Sequence, residues 1–292
     1  MTPLPLALAL LLLLGLPAPR AHTIQPPPDH STPAIDHAPA AEPPAEPFDP
    51  DRFLTTQLGD LPIILSAPHG GTVRVPGSSD RTSGVTVRDL HTAEIALLTY
   101  QRLIHRLGRE PSLVVAQFSR KDADANRDAS EAYENDAAQR VYDAYHAALD
   151  RAVRDSVDRF GIAIVIDIHG QSSHRDSIVR GTRSGRTTDD LIARFGIDAV
   201  AGPNSLFGEL KSRGYPVIPD PEPGELGRET FLNGGYIVAH FGTAIPGADA
   251  IQVELGADHR RDQTKMARDL ADSIADFAER YLLEAPPLSD RP

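Results

Sequence analysis

Residues 162–170 read IAIVIDIHG, a near-continuous apolar run that ends abruptly in Asp-Ile-His-Gly. A β-branched run of this length without alternation suits a strand covered on both faces, and in open α/β sheets ligands sit beyond the carboxyl ends of such strands. Alternate positions along a strand share a face, so Asp167 and His169 are expected to point the same way, toward a rim. Residues 62–71, PIILSAPHGG, repeat the design: an apolar run breaks at Pro68 and delivers His69 into a glycine-rich turn, where backbone can approach a ligand closely. An isolated Asp-x-His fits a strand cap bonding its own loop as well as it fits a metal site. Two strand-end histidines of the same design favour the metal.

Outward from these strands the pattern alternates. Residues 89–107 set Leu90, Ala93, Ile95, Ala96, Leu103 and Leu107 on the wide apolar face of a helix, with Asp89 at the expected N-cap. Residues 112–118, SLVVAQF, form the next expected strand and run into the charged stretch SRKDADANRD. Residues 130–160 predict a long helix, or two, closed by Gly161. Short strands are expected at 177–180, 232–239 and 250–255, short helices at 189–195 and 205–213, and an amphipathic helix at 264–283. Strands alternating with helices predict a single α/β domain, three layers deep, around a mixed, mostly parallel sheet.

That domain is expected over 52–284. Ahead of it, residues 4–16 are a leucine and alanine run of signal-peptide length, followed by small residues near Ala21, so 1–21 reads as a signal peptide and the protein as secreted or periplasmic. Residues 22–51 are a Pro- and Ala-rich spacer with almost no large apolar residue, and 285–292 a Pro-rich tail. No later segment is apolar enough for a stop-transfer sequence, so no membrane contact is expected beyond the leader.

Composition narrows the chemistry. At 292 residues, 40% hydrophobic and 24% charged, the chain can bury a substantial core. It has no cysteine, so any transition-metal site must be built from His, Asp and Glu. With 29 basic and 41 acidic residues the formal net charge is −12, which excludes wrapping of nucleic acid or an anionic membrane surface. An anionic substrate would need local arginines to overcome that field.

Six motifs remain: SAPHGG at 66–71, RDLHTAE at 88–94, SRKDADANR at 119–127, DIHG at 167–170, Gly-Gly-Tyr-Ile at 234–237 and QVELG at 252–256. In order and spacing, over nearly all of residues 60–283, they resemble the N-formylglutamate amidohydrolase family, relatives of the zinc carboxypeptidases. The Arg120, Asp124, Asn126 and Arg127 array is the most specific part. The resemblance implies a zinc carboxypeptidase-like fold and a mononuclear Zn2+ amidohydrolase with His69, Asp89 and His169 as ligands and Glu254 as general base. It further implies that Asn126 and Arg127 clamp a substrate carboxylate and that Arg120 assists the oxyanion or a second carboxylate. Asp124 and Asp167 would orient the ligand histidines. Arg180 is a candidate for the pocket wall, and Gly234 and Gly235 for a close pass of the chain along the substrate.

The physics agrees with that assignment. Two imidazoles and a carboxylate leave a fourth zinc position for water, whose pKa the metal lowers toward about 7. Glu254, at the end of an apolar strand, is expected to have a carboxyl pKa raised by desolvation, suited to taking and returning a proton. Position 72 is Thr72, so the carboxypeptidase His-x-x-Glu spacing is absent and the carboxylate ligand must come from further on. Asp89 and Glu94 compete for that place, and Asp89 also reads as a plain helix cap. The arginine array likewise reads as a surface loop neutralised by its own aspartates. The expected substrate is a small anionic amide of the N-acyl-glutamate type. The alternatives are a secreted zinc carboxypeptidase or a hydrolase of poly-γ-glutamate or cell-wall glutamyl peptides, and a non-catalytic carboxylate-binding protein.

Overall fold

The computed structural model describes residues 48–283; the expected signal peptide, nearly all of the expected spacer and the Pro-rich tail lie outside the described residues. In chain order the elements are β1 (Leu54–Gln57), β2 (Ile63–Ala67), α1 (Thr92–Leu107), β3 (Ser112–Ala116), α2 (Ala129–Ala132), α3 (Asp136–Phe160), β4 (Ala163–Gln171), β5 (Ile178–Gly181), α4 (Asp189–Phe195), α5 (Asp198–Ala201), α6 (Leu206–Ser212), β6 (Val217–Ile218), α7 (Tyr236–Ala244), β7 (Ala248–Gly256) and α8 (Gln263–Ala278). No helix among the described residues is long and apolar enough to cross a membrane.

The seven strands form one sheet in the order β1-β3-β2-β4-β7-β5-β6. Its centre, β3, β2, β4 and β7, is parallel throughout; β1 pairs antiparallel with β3, and β5 antiparallel with β7. The mixed, mostly parallel α/β architecture expected from the sequence is the one found. The unbroken apolar runs arise because helices cover both faces. Ile164, Ile166 and Ile168 of β4 pack in one core with α1 and α8, while Ala163 and Val165 pack in a second core with α3 and α7. β2 and β7 divide in the same way, with Ile64, Ala248 and Ala250 in the second core. Continuing that period of two, Ser66, Asp167, His169, Gln252 and Glu254 emerge on the α3 and α7 side at the carboxyl ends of three adjacent strands.

Several expectations needed correction. Residues 232–239 are not a strand: they lead into α7, where Asn126 Oδ1 accepts the Ile237 backbone N–H at 2.8 Å. A short apolar run does not distinguish a buried strand from a buried helix, and here a distant side chain supplies one of the helix's unpaired N–H groups with an acceptor. α1 begins at Thr92, and Asp89 does not cap it; the cap residue is His91, in left-handed conformation at φ 70° and with no side-chain cap bond. Asp89 is drawn away because its carboxylate is bound by Arg120 and the Gly170 N–H instead. Residues 130–160, expected as one long helix or two, are two, α2 and α3, the second capped by Asn135, whose Oδ1 accepts from Ala138 N at 3.3 Å. The regular helix expected to Leu283 ends at Ala278 and continues as a single π turn, Glu279–Leu283. β1, β6 and α5 were not anticipated, being four, two and four residues long.

Candidate metal centre

His69, just beyond β2, and His169, near the end of β4, are both buried. Their rings meet edge to face with centroids 4.8 Å apart. Each ring commits its Nε2 to a carboxylate at 2.6 Å: His69 to Asp124 Oδ1 and His169 to Asp167 Oδ2. Such short imidazole-carboxylate contacts fix the tautomer, with the proton on Nε2 and the Nδ1 lone pair turned inward. The two Nδ1 atoms then face each other at 3.1 Å, and Asp89 Oδ2 lies 3.4 Å from one and 3.6 Å from the other. Three electron-pair donors crowded together demand positive charge between them. A tetrahedral ion with bonds of about 2.0–2.1 Å sets its ligands about 3.3–3.4 Å apart, the spacing seen here. These three residues fit a metal, and they are the one such group among the described residues.

Asp89 reaches this position because it is held from every side. Its backbone N–H donates to the His69 carbonyl at 3.0 Å, Arg120 Nη1 donates to Oδ1 at 3.1 Å and Gly170 N donates to Oδ2 at 3.1 Å. Burial alone would raise its pKa, but His169 and His69 outweigh burial and hold the carboxyl well below the usual range. Asp124 behaves alike: burial opposes ionisation, and His69, Arg120 and Arg81 overcome it. For His169, burial works against a charge, yet Asp167 and Asp89 push its pKa well above the ordinary imidazole value. The centre calls for positive charge, which a divalent cation supplies. Glu94, the competing carboxylate, is left outside: it is half-buried and pairs through Oε1 with Arg88 at 2.7 Å.

Glu254 sits opposite His169 in the β4–β7 register and lines the same cavity of about 590 Å³. Burial raises its pKa, offset in part by His169. Gln252, two residues earlier on the same strand face, donates Nε2 to Glu254 Oε1 at 2.9 Å, and its own Oε1 accepts from Gly235 N at 2.8 Å. Sequence reasoning missed Gln252, although its i−2 relation to Glu254 is the same one that drew attention to Asp167 and His169. Ser66 was missed as well. Its hydroxyl donates to Asp167 Oδ1 at 2.6 Å and meets Tyr145 Oη at 2.7 Å, anchoring the carboxylate that orients His169.

The expected substrate-side residues divide. Arg127 and Asn126 line the cavity. Arg127 is half exposed with only a loose contact to Glu131, at 3.9 Å. Asn126 is fastened at Oδ1 by Ile237 N and through Nδ2 to Gln252 Oε1 at 3.4 Å, with that nitrogen 3.3 Å from His169 Nε2, which places it beside the histidine as much as at a substrate. Gly234 and Gly235 line the cavity too. Gly234 has φ 117°, and a Cβ on Gly235 would lie 2.3 Å from the Asn126 amide, so glycine is required at both. Arg120, expected to assist an oxyanion or a second carboxylate, lines the cavity and is engaged with Asp89 and, through Nε, with Asp124 Oδ2 at 3.0 Å, so that it positions both carboxylates. Arg180 does not reach the site. It is fully buried beneath it, with Nε on Glu229 Oε1 at 2.9 Å and further bonds to the Leu226 and Val200 carbonyls. The cavity's second uncommitted cation is Arg183, which sequence reasoning did not single out; its guanidinium has no hydrogen-bond or ion-pair partner among the described residues.

Comparison with known proteins points the same way. The family model for N-formylglutamate amidohydrolase matches residues 131–259, a span that contains His169 and Glu254. Among solved structures, N-formylglutamate amidohydrolase from Ralstonia eutropha JMP134 is similar at 19% identity and TM-score 0.57, over 80% of this chain and 99% of that one. A gene product of Agrobacterium tumefaciens matches at 16% identity and TM-score 0.48, over 78% and 95%. No curated protein matches the sequence. The resemblance read from the motifs is thereby shown: the chain carries the sequence pattern of the N-formylglutamate amidohydrolase family across residues 131–259, on an α/β fold shared with an N-formylglutamate amidohydrolase.

Proposed function

We propose that this protein is a zinc-dependent amidohydrolase that cleaves the amide bond of an N-acyl amino acid bearing carboxylates, of the N-formylglutamate type. The observation that supports it most is the inward convergence of His69 Nδ1, His169 Nδ1 and Asp89 Oδ2 at 3.1–3.6 Å, beside a buried carboxylate left to act as a base. Bound there, zinc supplies Lewis acidity toward the amide carbonyl and makes water acidic enough to act at neutral pH.

The chain's own groups do the rest. Asp124 and Asp167 hold both histidines in the ligating tautomer, and Arg120 with Gly170 N keeps Asp89 turned inward. Glu254 takes the proton of the attacking water as the oxygen bonds to the acyl carbon, then gives it to the nitrogen as the C–N bond breaks. The products are a carboxylic acid and a free amine. Gln252 fixes one Glu254 oxygen, which orients the carboxylate for both transfers. Arg127 and Arg183 receive the substrate's carboxylates, a local positive face in a chain of net charge −12. With residues 1–21 read as a signal peptide, the reaction takes place in the periplasm or outside the cell.

Metal analysis of the purified protein should return about one zinc per chain, and N-formylglutamate should be hydrolysed. Glu254→Gln should keep the zinc and the melting temperature while kcat/KM falls by roughly 10²–10⁴, the range for a lost general base. Full activity in that variant, or a native protein that binds no metal, would overturn the reading.

A further inference from the structure

The cavity beside the ligand triad is one of two adjoining lobes. The second, about 540 Å³, shares Val85, Asp89, Gly170, Gln171 and Leu232 with the first, so the ligand carboxylate of Asp89 lies at their seam. The lobes differ in chemistry. The first holds both histidines, Glu254 and the two uncommitted cations Arg127 and Arg183. In the second every arginine is engaged: Arg88 with Glu94, Arg175 and Arg261 with Asp258, and Arg260 with the Leu90, Gln171 and Leu255 carbonyls.

What the second lobe offers is apolar surface. Four large hydrophobic side chains are exposed among the described residues, and three of them, Val85 at 51%, Val87 at 71% and Leu90 at 56%, lie within six residues along its wall. Single exposed apolar residues need no explanation, but a cluster bordering a reaction centre marks a surface that is covered in use.

Resting on the hydrolytic reading above, we propose that the natural substrate carries an acyl group larger than formyl, an apolar chain of several carbons that lies in this second lobe. The orientation comes from charge. The carboxylates of an N-acyl amino acid belong to its amine half and are drawn to Arg127 and Arg183, the scissile amide falls at the seam, and the acyl half extends the other way. A formyl group is a single carbon and leaves the lobe and its apolar wall unused.

The test is a series of N-formyl, N-acetyl, N-butyryl, N-hexanoyl and N-octanoyl glutamates with the zinc-loaded enzyme. kcat/KM should climb by about two- to fourfold for each methylene covered, the burial of a CH₂ on one open wall. Leu90→Asp and Val87→Asp should flatten that climb and leave formylglutamate turnover unchanged. Calorimetry with N-octylglutamate and N-ethylglutamate, which have no amide to cleave, gives a readout independent of turnover; the octyl compound should bind at least tenfold more tightly. Turnover of formylglutamate with a flat or falling series, or equal affinity for the two amines, overturns the larger acyl group and leaves the hydrolytic reading standing. If no acylglutamate is cleaved, the hydrolytic reading falls and this inference falls with it.

Discussion

Replacing Asp124 by asparagine removes one charge and turns one acceptor into a donor, and the outcome is set by the four donors around this buried carboxylate. Oδ1 accepts from His69 Nε2 at 2.6 Å and Asn126 N at 3.0 Å; Oδ2 accepts from Arg120 Nε at 3.0 Å and Arg81 Nη1 at 3.4 Å. An amide has one oxygen and can serve one of these sides. Leaving buried guanidinium donors unpaired is the worse choice, since unmet charged donors carry the larger desolvation penalty. The amide oxygen therefore turns to the arginines and its NH₂ group to His69. His69 must then accept at Nε2, which moves its proton to Nδ1 and aims N–H at the centre where a lone pair is needed. Loss of such an outer partner weakens metal binding by about 10–100-fold, or about 1.4–2.8 kcal/mol. Asp167→Asn is the contrasting case. Ser66 and Tyr145 can reverse their hydroxyl protons, so the amide donates to Ser66, Ser66 to Tyr145 and Tyr145 to the Val114 carbonyl 3.5 Å away, while His169 keeps its acceptor. That variant should lose less than about fivefold. Zinc affinity read by competition with a chromophoric chelator, alongside the melting temperature of the metal-free protein, separates metal binding from folding. Equal zinc affinity for Asp124→Asn and wild type, or a larger loss in Asp167→Asn, would refute the tautomer argument.

The two candidate carboxylates separate cleanly by deletion: Asp89→Ala should bind less than about a tenth as much zinc as wild type at equal concentration, while Glu94→Ala should bind it fully, since Glu94 is paired with Arg88 outside the centre. Zinc retained in Asp89→Ala would move the ligand elsewhere. Asp249 gives a pH prediction away from the site. Burial, then repulsion from Asp190, raises its pKa from 3.8 to about 7, and its Oδ2 is buried without a partner among the described residues. Below pH 3.8 both folded and unfolded forms hold the proton; between about pH 4 and pH 7 only the folded form does, so stability falls as pH rises through that window, by at most about 4 kcal/mol. Asp249→Asn should therefore unfold later in urea at pH 8, by about 1–2 kcal/mol after the burial of an amide is allowed for, and show no gain at pH 4. An equal effect at both pH values would show that charge is not the cause.

The central strands were legible because burial on both faces leaves a continuous apolar run, and the histidines because they interrupt such runs. What could not be read was whatever depended on a partner distant in the chain. Asp89 looks like a helix cap in one dimension; only the fold brings Arg120, 31 residues later, and Gly170, 81 residues later, to turn its carboxylate inward. Arg180 looks like a pocket arginine until Glu229, 49 residues on, is seen to neutralise it inside the core. The misread segment 232–239 has the same origin, since the side chain that helps start α7 belongs to Asn126. Arg183 carries no signal at all in a sequence with 29 basic residues, because what distinguishes it is that the fold sets it in the cavity wall without a partner among the described residues.

The site's precision rests on strand register. β4 and β7 are parallel with Asp167 beside Gln252 and His169 beside Glu254, so each working residue has its positioning residue two places earlier on its own strand and its chemical counterpart on the neighbouring one. Asp167 orients His169 and Gln252 orients Glu254 by the same geometric device. A slip of one residue in either strand would replace these pairs with Ile168 or Val253 and drive carboxylates into the apolar core packed on α1 and α8. The apolar residues that fill both faces thus do more than stabilise the sheet. By making the slipped registers prohibitively unfavourable, they hold His169 and Glu254 side by side on adjacent strands, the arrangement on which the proposed hydrolytic role depends.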